Sequence, residues 1–274
     1  NGIFQWPCYP TRYGASQLYC TQSDTVRYMP KKRDAASVEG LEAFGRGVAE
    51  YAAEHPDIRI SLVLPVISVD SPSNPAYPLV SDVINMSEYI ETLESQVKDI
   101  ENIRLVAKDI LDYEDYLEEY YSTDDHWCGY GAIDAFNMMM TAWGRPESGL
   151  WEIESDETVD RYIFNGQNAR LGLMLVDRGV REPLLETSTL KLLEGAGGGL
   201  VQGEPPSPQD LKMIFSFYAS WYGVDEDTTI GNGSYDESER ILLISDSYGD
   251  AFRWILAQRY GLTYDKKDLY YAAR

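Results

Sequence analysis

Apolar residues return at three- and four-residue spacing from Ser37 onward: Leu41, Phe44, Val48 and Tyr51 form one face of a helix. His55-Pro56-Asp57 ends that pattern. From Ile58 to Ser68 the apolar positions become nearly continuous and mostly branched (Ile60, Leu62, Val63, Leu64, Val66, Ile67), which predicts a buried strand. A second helix starts near Ser87, with Ile90, Leu93, Val97 and Ile100 in register, and Ile103 to Ala107 reads as a second short strand. The helical period resumes from Gly129 to about Trp143, with Ile133, Phe136, Met139 and Met140 as its core face. Near the end of the sequence Arg240 to Ser245 is a strand, Asp246-Ser247-Tyr248-Gly249 a tight turn, and Asp250 to Tyr260 a helix with Phe252, Ile255, Leu256 and Tyr260 on one side.

Helices and strands in alternation predict an α/β fold with a doubly wound, mostly parallel sheet. A chain of 274 residues suits a single domain over 1–274. Within it, residues 1–35 are aromatic, polar and irregular, broken by Pro7, Pro10 and Pro30. Residues 145–238 read as an insertion or subdomain before the strand that ends at Ser245. There, short apolar runs (Leu171 to Val176, Ile214 to Tyr222) alternate with glycine- and proline-rich loops (Gly195 to Gly199, Gly203 to Pro208). The Pro/Ser/Asp/Asn-rich loop from Asp70 to Pro78 follows a predicted parallel strand, where α/β proteins place ligands.

Charge narrows the partners. Asp and Glu total 45 against 23 Lys and Arg, a formal net charge of −22, which repels phosphate backbones and anionic membrane surfaces. Nucleic acid is therefore excluded as a partner. No run approaches the roughly 18–20 apolar residues that span a bilayer; Ile58 to Ile67 is interrupted by Arg59, Ser61 and Pro65. The sequence starts at Asn1 without an initiator Met, and we expect an extracellular or cell-surface protein whose export signal or anchor has been removed. Cys8 and Cys20 are close enough to close a small loop in an oxidising compartment, leaving Cys128 over; three free thiols is the equal alternative. With only His55 and His126, no CxxC, and no GxGxxG, Walker or HExxH pattern, neither a metal site nor a cofactor is expected.

Two constellations carry chemistry. Ser247 stands at the end of a buried strand just before a helix, where backbone N–H groups and the positive end of the helix dipole favour a developing oxyanion. The same strand–turn–helix also serves as a plain helix cap by Ser247 or Asp246. A serine hydroxyl needs an adjacent base, and Asp124-Asp125-His126-Trp127 offers one: an imidazole that titrates near neutrality, with Asp124 spaced to orient it and Asp125 as competitor for that role. A surface histidine in a capping loop is the bland alternative.

These residues resemble a family. Tyr120-Tyr121-Ser122-Thr123-Asp124-Asp125-His126-Trp127, followed by Gly131-Ala132, is similar to the TDHHWT…GA signature of the DHHW proteins. Leu243 to Phe252, with Asp246-Ser247-Tyr248-Gly249-Asp250-Ala251, is similar to that family's DSFGNA block, and Tyr264 to Tyr270, with Asp268-Leu269, to its DLRY segment. The family resembles the SGNH-hydrolase-like domains of the alginate acetylation proteins. The resemblance implies a flavodoxin-like sheet, circularly permuted so that the Asp-x-His motif precedes the serine. It also implies a triad of Ser247 as nucleophile, His126 as base and Asp124 as its orienting partner. Phe164-Asn165-Gly166-Gln167 matches a glycine-containing block near the oxyanion, which nominates Asn165 and Gly166, with Tyr248, for oxyanion or substrate binding. Two departures stand out: Asp125 replaces the usual His or Thr, and Ser245 replaces a glycine two residues before the nucleophile.

The expectation is a serine-dependent acyl (acetyl) transferase or esterase acting on cell-surface or exported polysaccharide. Its expected partners are polysaccharide or an acetylated glycan, and cell-surface assembly proteins. The sequence's 21 Tyr and 6 Trp suit a sugar-stacking groove as well as they suit a core. Two rivals are a non-catalytic surface protein of the same fold that binds glycan or a polysaccharide-assembly partner, and a hydrolase of another ester.

Overall fold

The computed structural model describes residues 18–20, 26–28, 35–65, 86–107, 112–121, 126–145, 156–162, 176–183, 185, 187–195, 197, 222–223, 226–236 and 238–272. The chain divides into two compact units. The first gathers residues 1–23, 27–117 and 137–151, and the second residues 24–26, 118–136 and 152–274. Two short strands near the start, β1 (Leu18–Cys20) and β2 (Val26–Tyr28), pair with each other.

In the first unit, α1 (Ala35–Glu54), β3 (Ile60–Leu64), α2 (Met86–Val97) and β4 (Ile103–Ala107) follow the predicted alternation. β3 and β4 are parallel, in register from Ile60 opposite Ile103 to Leu64 opposite Ala107. Ala52, Leu62, Val97 and Ile103 form the core, with Val48, Ile60, Ile100 and Leu105 packed against it. Each large aliphatic side chain buried here contributes about 1.5–3 kcal/mol. One polar side chain bolts this core: Asn102 Nδ2 donates to the carbonyls of Ala52, His55 and Ile58 at 3.0, 3.0 and 2.9 Å, holding the end of α1 to the start of β3. α1 turns a different stripe inward than its apolar period suggests. Phe44 and Tyr51 are about half exposed (53% and 48%), whereas Gly45 and Ala52 are buried. The close approach of α2 explains this: a Cβ on Gly45 would lie 3.0 Å from the Gln96 side chain, so the small residues take the contact and the large ones flank it.

In the second unit, four strands form one sheet in the order β7 (Leu190–Glu194), β8 (Thr228–Asn232), β10 (Leu262–Asp265), β9 (Arg240–Leu243). β9 and β10 are parallel and are joined through α5 (Gly249–Ala257). β8 runs antiparallel to both β10 and β7. β5 (Asp156–Tyr162) and β6 (Val176–Pro183) form a separate antiparallel pair with an irregularity between Val159 and Arg161. α6 (Lys267–Ala272) follows β10.

The architecture is α/β, but the expectation of a mostly parallel sheet needs correction. Among the described residues, the parallel pairs β3–β4 and β9–β10 each have a helix crossing between the strands, as β3–α2–β4 and β9–α5–β10, and the sheets are otherwise partly antiparallel. β7 and β8 come from the stretch read as an insertion, yet they complete the sheet that holds β9 and β10, and they do so antiparallel. α5 also departs from its predicted one-sided face. All nine of its residues are buried, Asp250 and Arg253 included.

In sequence, α3 (Tyr113–Glu119) and α4 (Gly129–Ala142) follow β4. The predicted face of α4 is inside: Ile133, Phe136, Met139 and Met140 are all buried, as is Ala132. Among the described residues, no helix is long and apolar enough to cross a membrane.

Candidate active site

The serine turn is built by the residue before it. Asp246 Oδ1 accepts the Tyr248 N–H at 3.1 Å, the Asp246 carbonyl accepts the Gly249 N–H at 3.0 Å, and the Ser247 carbonyl accepts the Asp250 N–H at 3.1 Å. This is an Asx-type turn running directly into α5. Tyr270 Oη donates to the other Asp246 oxygen at 3.2 Å. Gly249 is required by space: a Cβ there would fall 1.8 Å from Ser245 Oγ. Tyr248 at the helix start makes no side-chain capping bond of its own, and the Asp246 carboxylate supplies the cap-like bond that the local pattern also allowed.

The histidine arrives from the other side of the second unit. Tyr120 and Trp127 form an antiparallel bridge, the Tyr121 N–H donates to the His126 carbonyl at 3.2 Å, and the Cys128 N–H to the Glu119 carbonyl at 2.7 Å. Gly131 lets α4 start against this bridge, since a Cβ there would lie 2.8 Å from the Glu119 carbonyl and 2.9 Å from the Trp127 side chain. His126 Nε2 then stands 2.7 Å from Ser247 Oγ. In the neutral tautomer with its proton on Nδ1, Nε2 accepts the serine hydroxyl, which is the arrangement a general base needs. The neighbours repeat the link: Trp127 Nε1 donates to the Tyr248 carbonyl at 2.8 Å. The Tyr248 ring lies against the imidazole with centroids 4.9 Å apart and against the Trp127 indole edge-on at 6.0 Å; Trp127 also packs on Phe252 at 5.8 Å.

Of the predicted site residues, Ser247, His126 and Tyr248 are thus together. Asp124 lies in the segment 122–125, outside the described residues, and so do Asn165 and Gly166. Cys8 is also outside them; Cys128 is buried, is in no disulfide, and its Sγ donates to the Glu118 carbonyl at 3.7 Å. The Tyr248 N–H is committed to Asp246, so what this residue offers the site is its ring. No group of three or more metal-ligating side chains occurs among the described residues.

Beneath the turn is a set of residues that sequence reasoning missed. Arg253 lies 3.2 Å from both Asp250 and Asp265, and Lys267 lies 3.1 Å from Asp250 and 3.3 Å from Asp265. All four side chains are at most 2% exposed. Two carboxylates and two cations alternate in a closed, neutral ring, which is how buried charge becomes tolerable. Burial pushes the Asp265 carboxyl up, against the opposing pull of Lys267 and Arg253 and the Ser245 hydroxyl bond. Arg253 also donates to the Tyr222 carbonyl at 2.9 Å, beside the Trp254 indole at 2.8 Å on the same oxygen. Ser245, the departure from the family glycine, belongs to this ring: its hydroxyl donates to Asp265 Oδ1 at 3.0 Å and accepts from Lys267 at 2.9 Å. One signal was legible. Arg253 interrupts the apolar run Ala251 to Ala257, and a charge in such a run needs a buried partner.

Solved structures place this arrangement in context. Bacillus cereus PatB1 with a sulfonyl adduct superposes with a TM-score of 0.61 at 14% identity, covering 94% of this chain and 88% of that one. A DHHW family protein from Eubacterium siraeum superposes with a TM-score of 0.58 at 12% identity, covering 92% and 82%. The chain shares their fold. A second Bacillus cereus PatB1 structure gives 0.59 at 15% identity, covering 92% and 87%. No protein-family model matches the sequence, and neither does any curated protein. The similarity to PatB1 and the DHHW protein is therefore one of fold, spanning nearly the whole of this chain at identities that leave few side chains in common.

Proposed function

We propose that this protein is a serine-dependent acyl transferase or esterase that moves or removes acetyl groups on cell-surface or exported polysaccharide. The observation that carries the reading is the 2.7 Å contact between His126 Nε2 and Ser247 Oγ, two side chains 121 positions apart. Ser247 Oγ attacks the acetyl carbonyl carbon while His126 takes its proton. The carbonyl electron pair moves to oxygen and is held by the Ser247 N–H at the start of α5, with Asn165 and Gly166 as further contributors. Collapse expels the alkoxide, which His126 protonates, leaving an acyl-serine. A sugar hydroxyl or water then gives its proton to His126, attacks the acyl carbon and releases Ser247. Asp124 orients His126 and stabilises the imidazolium.

The fold supports this reading, since a structure of similar fold, PatB1, carries a sulfonyl adduct, and sulfonyl electrophiles are trapped by activated hydroxyls. In this reading the full sheet is a doubly wound, circularly permuted SGNH-like one, with the serine on the strand after the histidine motif. The half-buried Tyr248 ring beside His126 offers an apolar face for a sugar, and an extracellular location suits an exported glycan.

The test is turnover of p-nitrophenyl acetate by wild type, Ser247→Ala and His126→Ala, with each fold checked by circular dichroism. Loss of about 10³-fold or more in both folded variants is expected. Equal rates in all three would sink the enzyme reading and favour a glycan-binding protein without catalysis.

A further inference from the structure

Lys267 is almost wholly buried (1% exposed), and no step of the acyl transfer above uses it. Its ammonium faces Asp250 and Asp265, donates to Ser245 Oγ at 2.9 Å, and donates to the carbonyl oxygen of Asp246. That last contact is the informative one. The Asp246 carbonyl and the Ser247 N–H are two ends of one planar peptide group. A cation on the oxygen favours the resonance form with negative oxygen and positive nitrogen, so the N–H at the other end becomes a stronger donor. The same carbonyl accepts the Gly249 N–H at 3.0 Å, so this peptide is held from two directions.

We propose that Lys267 is a positioning residue for the nucleophile: it locks the Asp246–Ser247 peptide and polarises it, strengthening the Ser247 N–H toward the oxyanion of the acyl-transfer intermediate. This deepens the acyltransferase reading and rests on it. The role of the buried ring then follows. Buried charge is tolerable only when it is paired. Asp250 and Asp265 pair with the ammonium, and Arg253 balances the second carboxylate so that the cluster is neutral. Gly249 and Ser245 supply the space and the hydroxyl that let the lysine reach the turn.

Lys267→Met alone leaves an unbalanced carboxylate and is at risk of misfolding, so the informative variant is the charge-balanced Asp250→Asn/Lys267→Met double, which keeps Arg253 opposite Asp265. It is compared with wild type in three measurements: p-nitrophenyl acetate kinetics, affinity for phenylboronic acid as a tetrahedral-anion probe, and the proton shift of the Ser247 amide by ¹⁵N–¹H NMR. Removing a whole oxyanion donor costs about 10²–10³ in kcat, so weakening one should cost about 10-fold or more, with KM little changed. Boronate affinity should fall by a similar factor, and the Ser247 amide proton should move upfield. A merely structural lysine would lower the melting temperature of the folded variant and leave kcat, boronate affinity and the amide shift where they were; that result overturns the proposal. If wild type itself shows no Ser247-dependent turnover, the acyltransferase reading fails separately, and an unmoved Ser247 amide then also overturns the polarisation by Lys267.

Discussion

The units β3–α2–β4 and β9–α5–β10 share a plan, two parallel strands with a helix crossing between them, and their cores differ in what is added to the apolar packing. The first holds Ala52, Leu62, Val97 and Ile103, with Asn102 as a polar bolt. The second has its own apolar core, including Phe252, Trp254, Ile255 and Leu256, and adds to it Asp250, Arg253, Asp265 and Lys267, a ring of charge at the same depth. An apolar filling is the cheaper way to stabilise such a unit, because salt bridges repay desolvation poorly. What charge supplies is direction: each bond in the ring fixes an angle, and the ring bonds to Ser245 and Asp246 of the serine turn. The first unit packs almost wholly by apolar contact, and the second combines apolar packing with a ring of charge that reaches the serine turn.

The comparison breaks most sharply at Arg253. Arg253→Ala should cost about 3–5 kcal/mol, because two buried carboxylates would face Lys267 alone. Urea unfolding followed by circular dichroism reads this, and a cost under about 1 kcal/mol would mean that the ring carries little of the second unit's stability. Asn102→Ala, the polar deletion in the first unit, should cost about 1–3 kcal/mol, since it strips a donor from three carbonyls. Because Asn102 touches neither the turn nor the ring, p-nitrophenyl acetate turnover per folded molecule should be unchanged, whereas ring variants should lose turnover and stability together.

The smallest effect is at the rim. Burial nudges the Asp227 carboxyl upward, but the Asp268 N–H and the Lys266 ammonium outweigh it and hold the group below the usual carboxylate range. Asp227 therefore favours the fold above its unfolded pKa, and that contribution is lost as pH falls through the lower folded value. Asp227→Asn should remove under about 1 kcal/mol near neutrality and nothing once the wild-type carboxyl is protonated, read as melting temperature against pH. A gap between the two proteins that persists unchanged at the acid end would contradict this sign.

How much of this was legible depended on distance along the chain. β4 is the predicted strand residue for residue, and α4 turns in the predicted face, because both follow from local periodicity. The turn at Ser247 was legible from strand, Asp-Ser and helix in succession. Periodicity marks which residues share a side, not what will cover them. Hence Phe44 and Tyr51 share the apolar face that the period marks although α2 approaches at Gly45, and α5 has one apolar side by its period although it is enclosed on all of them. Strand pairing was harder still: β8 is only five residues long, its Thr228, Thr229 and Ile230 favouring a strand and its Gly231 and Asn232 not, and its partners decide its place. The meeting of His126 with Ser247 followed from asking what chemistry each residue type needs and from the resemblance to the DHHW signature, and the ring below them only from the buried geometry.

The link between those two residues also has a consequence in time. Joining positions 121 apart costs about 4 kcal/mol of chain-closure entropy. In the proposed reading, a ribosome delivers the imidazole of His126 before the hydroxyl of Ser247, so the pair can form only after β9 and the turn that follows it have emerged.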